Sequence, residues 1–106
     1  MKRQIMCICG SVRFKDSIMQ EACRFSLMGH IVLIPNCLLH EWFHNSPLGR
    51  TAKVELDKLH FDKIRLADFV YVVNEDGYIG DSTSREIEFA KSLRKPIRYM
   101  EEEVLA

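Results

Sequence analysis

Four short apolar runs punctuate the chain, and the segments between them carry their apolar residues at helical spacing. Strands separated by helices pair in parallel through right-handed crossovers, so this alternation limits the chain to stacked βαβ units. The runs are Gln4-Ile-Met-Cys-Ile-Cys9, His30-Ile-Val-Leu-Ile-Pro35, Asp68-Phe-Val-Tyr-Val-Val-Asn74 and Ile97-Arg-Tyr-Met100. Helices are expected at about 15–28, with a stripe of Ile18, Met19, Ala22, Phe25 and Met28, at about 52–66, and at about 83–94, with Ile87, Ala90 and Leu93 inward. Gly29 stops the first helix and Lys95-Pro96 the last. Pro96 also places the final strand at a sheet edge.

The predicted fold is α/β, a three-layer sandwich around a parallel sheet of about four strands in the order 2-1-3-4. With 106 residues and 47% hydrophobic content, positions 1–106 form a single domain with a modest core. Fifteen Lys+Arg balance fifteen Asp+Glu, which argues against binding to polymeric nucleic acid or a membrane by bulk charge. The N-terminal apolar run breaks at Gly10 and meets Arg13, too short for a signal core or a membrane span, so a cytoplasmic protein is expected. Cysteines at 7, 9, 23 and 37 match no zinc-site spacing. Cys7 and Cys9 share one face of a strand and read as small core residues, so neither a metal nor another cofactor is expected.

In the order 2-1-3-4 the winding reverses between the first and third strands, and ligands of such sheets bind beyond the carboxyl ends at that point. Two glycine-marked loops meet there, Gly10-Ser11-Val12-Arg13 and Asn74 to Ser82. Each precedes a helix and can offer backbone N–H groups to an anion. Gly10, Gly77 and Gly80 allow close backbone approach, while Ser11, Arg13, Ser82, Thr83 and Ser84 add donors suited to phosphate. The irregular stretch 36–51 is long for a connection, and its Trp42 and Phe43, with Tyr78, are aromatic groups able to stack on a base. From spacing alone, Thr83-Ser84-Arg85-Glu86 reads as a capping box in which Glu86 bonds back to Thr83. His60, Asp62 and Asp68 read equally well as exposed or capping polar groups.

Cys9-Gly-Ser-Val-Arg13, Ala67-Asp-Phe-Val-Tyr-Val-Val-Asn74, Asp81-Ser-Thr-Ser-Arg-Glu-Ile-Glu-Phe-Ala90 and Lys95-Pro96-Ile97 together resemble the nucleoside 2-deoxyribosyltransferase family, which includes the 2'-deoxynucleoside 5'-phosphate N-hydrolases. The resemblance covers most of the chain. It implies a flavodoxin-like, Rossmann-like sheet and N-glycosidic cleavage or transfer on a nucleoside or nucleoside 5'-monophosphate. It places the catalytic glutamate at Glu86, four residues before Ala90, and the substrate loop at Cys9 to Arg13. The strand-opening aspartate falls on Asp68, and a helical group that serves the sugar or the base falls on His60 or Asp62. It also implies a homo-oligomer, a dimer or higher, with sites near subunit interfaces. The chain departs from the family at Asp81-Ser82-Thr83, where members carry Ser-Gly-Thr, and at Glu88, where they carry glycine. Two other readings accommodate these residues: a protein that binds a nucleotide or nucleotide signal without turnover, and a glycohydrolase of NAD-like dinucleotides.

Overall fold

The computed structural model of the chain describes residues 2–36 and 49–102, with side chains from 52 onward in the second stretch. Four strands form one sheet there: β1 (Ile5–Gly10), β2 (Ile31–Leu33), β3 (Phe69–Val73) and β4 (Ile97–Tyr99). Their order is β2-β1-β3-β4 and every pairing is parallel, as the alternation of strands and helices predicts. Register aligns Cys7 with Val70 and Leu33, and Gly10 with Val73.

Among the described residues, three helices cover the sheet: α1 (Lys15–Leu27), α2 (Gly49–Leu66) and α3 (Asp81–Ser92). Alternate residues of the buried strands supply two cores. Met6, Ile8, Phe69, Tyr71 and Val73 pack on Ile18 and Phe25 of α1. On the other face Cys7, Cys9, Val70 and Val72 meet Ile64 of α2, Ala67 just beyond it, and Ile87 and Ala90 of α3. The expected α1 stripe is narrower than its spacing suggests. Met19 and Met28 are exposed, because one helix on a sheet presents only a limited arc to it.

α1 ends as Gly29 implies. Gly29 takes φ +94°, its N–H donates to Ser26 O at 2.9 Å, and His30 N donates to Phe25 O at 3.1 Å. α3 ends by the same pair of bonds, Arg94 N to Lys91 O and Lys95 N to Ala90 O, with Arg94 at φ +58°. The helix therefore stops at Ser92, ahead of Lys95-Pro96. No helix among the described residues is long and apolar enough to cross a membrane.

Candidate functional site

α3 begins three residues earlier than its capping-box reading requires. Gly80 is its N-cap, Ser84 N donates to Gly80 O at 2.9 Å, and Thr83 lies buried inside the first turn. Glu86 is then the sixth helical residue, beyond the unpaired N–H groups a capping side chain serves, so the capping-box reading is corrected. Helical phase turns Glu86 toward the sheet instead, and its side chain is only 14% exposed.

His60, on the buried face of α2, points its Nε2 at three groups. Glu86 Oε2 lies at 3.4 Å, Cys9 Sγ at 3.4 Å and Cys7 Sγ at 3.6 Å. The two sulfurs reach the same space because residues two apart on β1 share a face. His60 Nδ1 is buried with no hydrogen-bond partner among the described residues. On the helix side, Asp57 and Phe61 of α2 and Ser82, Arg85 and Glu86 of α3 line an open pocket. These sets sit three and four residues apart on facing helices, so each presents one face to the gap. Sequence reasoning missed Asp57, Phe61 and Arg85, and the helical spacing 57-60-61 and 82-85-86 is the signal that could have found them.

Electrostatics follow from this crowding. Burial lifts the Glu86 carboxyl to about 7, the His60 ring opposes the shift, and negative charge on Cys7 adds to it. The hydrogen bond with Cys9 holds Cys7 below the ordinary thiol range, against burial and with help from His60. That same bond, with burial, drives Cys9 up, so the two thiols are pushed in opposite directions. Burial disfavours a charged His60, but Cys7 and Glu86 outweigh it and raise the ring above its usual value.

The remaining expected site residues fall into three groups. The two glycine-marked loops do meet: the Arg13 guanidinium lies 3.9 Å over the Tyr78 ring, and Phe14 packs edge-on to it at 5.8 Å. Ser11 Oγ accepts from Arg13 N at 3.3 Å, and Ser82 Oγ accepts from Arg85 Nη2 at 3.3 Å. Gly77 turns the second loop at φ +78° with open space around it. Gly80 faces Tyr78, whose hydroxyl would lie 3.4 Å from an added Cβ.

Three residues serve the fold where a ligand role was expected. A Cβ on Gly10 would meet Val73 O at 3.1 Å and Val73 Cβ at 3.2 Å, so this glycine lets β1, β3 and α1 pack closely. Asn74 Nδ2 donates to Glu101 O and its Oδ1 accepts from Glu101 N, both at 2.9 Å, which ties β3 to the segment after β4. Asp68 Oδ2 accepts from Ile5 N at 2.8 Å at the amino end of the sheet, opposite the loops.

Asp62 stands apart from the cluster. Its side chain is 61% exposed and pairs with Arg65 on the outer side of α2, which leaves His60 as the helical group beside Glu86. Trp42, Phe43 and Cys37 lie outside the described residues. Compared with known protein families and with curated proteins, the chain matches none.

Proposed function

We propose that the chain cleaves or transfers the N-glycosidic bond of a (deoxy)nucleoside or nucleoside 5'-monophosphate, in the manner of the nucleoside 2-deoxyribosyltransferase family that it resembles. One observation carries the reading: Glu86 is no helix cap, and its partly hidden carboxylate stands between His60 and a pocket bounded by Asp57, Phe61, Ser82 and Arg85. Breaking a glycosidic C–N bond builds positive charge at the anomeric carbon, which a carboxylate can stabilise or trap as an ester. In this scheme a Glu86 oxygen bonds to that carbon as the C–N electron pair leaves with the base. The base takes up a proton, and attack of water or of a second base on the sugar then releases Glu86. His60, 3.4 Å away, positions the carboxylate and exchanges protons with it. Donors at Ser11, Arg13 and Ser82 suit a 5'-phosphate or sugar hydroxyls. A nucleoside or nucleotide ligand, a homo-oligomeric assembly and a cytoplasmic setting belong to the same proposal.

The test is free-base release, followed by chromatography, from a panel of deoxy- and ribonucleosides, their 5'-monophosphates and NAD. Base release is expected from one class, falling by about 10²–10⁴-fold in Glu86→Gln while the fold is kept. Nicotinamide as the released base would move the assignment to dinucleotides. Silence from folded protein across the panel, with tight binding of one member, would replace the enzyme with a nucleotide-binding module.

A further inference from the structure

The geometry points to a metal site: we propose that Cys7 Sγ, Cys9 Sγ and His60 Nε2 bind Zn2+ or a similarly soft divalent cation, with the fourth coordination position facing Glu86. This goes beyond the reaction proposed above and does not rest on it.

The ligand atoms of Cys7, Cys9 and His60 all lie within 4.8 Å of one another, and all three residues are buried. Tetrahedral zinc takes sulfur at about 2.3 Å and imidazole nitrogen at about 2.0–2.1 Å, which separates two such ligands by about 3.5 Å. The sulfur-to-Nε2 distances are 3.4 and 3.6 Å. Two thiols and a carboxylate also converge on this one nitrogen, and a single N–H or lone pair cannot serve three partners well. A cation among the two sulfurs and the nitrogen gives each of these three a partner. The donor set selects the metal class, because two sulfurs with an imidazole favour zinc over magnesium or calcium. The surroundings suit it too: Val70, Val72, Ile64 and Ala67 enclose the sulfurs, so the charge is neutralised where water is scarce. The ring proton would sit on Nδ1, which has no partner among the described residues, so packing and the ligands themselves orient the imidazole.

Cys-x-Cys with a histidine from a distant helix is no recognisable zinc spacing. The site exists because strand alternation puts both sulfurs on the face that α2 covers. The expectation of no metal rested on linear spacing and on reading the shared face of Cys7 and Cys9 as core packing; the histidine that α2 brings to that face was not part of it.

The test titrates the full, reduced, metal-stripped chain with Co2+ without oxygen, then adds Zn2+. A thiolate-to-cobalt charge-transfer band and visible bands of tetrahedral strength are expected, saturating at one ion per chain and bleached by Zn2+. Cys9→Ser is expected to diminish the charge-transfer band, His60→Gln to weaken cobalt binding by more than about 100-fold, and a Cys23→Ser, Cys37→Ser double variant to change neither. Absence of the bands from folded wild type, or their survival in both Cys9→Ser and His60→Gln, would overturn the proposal. Loss of the bands in the double variant would do the same. Should either buried variant fail to fold, wild type carries the test: Zn2+ raises its thermal midpoint by several degrees if the site exists, and an unchanged midpoint refutes it. A bound metal would occupy His60 Nε2, so the proton exchange between His60 and Glu86 proposed above belongs to the metal-free chain. None of these readouts involves base release, so failure of the site and failure of the reaction are distinguishable.

Discussion

Asp68, just ahead of β3, and Glu86, in the middle of α3, are both carboxylates, and their surroundings separate them. Asp68 accepts a hydrogen bond from Ile5 N at the end of the sheet away from the loops, whereas Glu86 is enclosed against His60. Replacing Asp68 with Ala should cost about 1 kcal/mol in urea unfolding, the usual worth of one backbone-directed bond, and leave base release per folded molecule unchanged. A large loss of activity with normal stability would return Asp68 to the substrate site. At this scale the sequence named Glu86, His60 and Cys9 without saying that they touch. Contact among them depends on the rotational phase of two helices and on a strand 51 residues before His60, which no local spacing encodes.

The helices show what local signals can and cannot mark. Gly29 announced the end of α1, because φ +94° favours a residue without a Cβ. Arg94 occupies the equivalent position after α3 at φ +58° and gives no such signal, so the sequence extended that helix toward Lys95-Pro96. An Arg94→Gly variant should therefore gain about 0.5–1 kcal/mol, seen as a higher urea midpoint at unchanged slope. A lower midpoint would mean that the aliphatic stem of Arg94 contributes more packing than its backbone costs. The start of α3 was misjudged for a related reason. Thr83 and Glu86 fit a capping box by type, but Gly80 ends the preceding loop and leaves Asp81 and Ser82 free to join the helix.

Across the whole molecule, the strand order was the most legible feature, since crossover handedness and element alternation leave few arrangements of four strands. That order brings the loop after β1 beside the loop after β3, where Arg13 and Phe14 grip Tyr78. Tyr78→Ala should lose about 1–2 kcal/mol of stability, and a double-mutant cycle with Arg13→Ala should show coupling of about 0.5–1 kcal/mol. Strict additivity would mean that the two loops are independent. The occupied ring face also limits Tyr78 as a stacking partner for a base, a constraint that the sequence could not reveal.

β2 and β4 are each three residues long, and they flank a centre of six and five. A sheet that tapers in this way offers a neighbouring chain little unpaired backbone on which to add a strand. Crowded solutions of this protein should accordingly resist growth into fibrils from the native state, and a lengthened β2 or β4 would be the place where that resistance gives way.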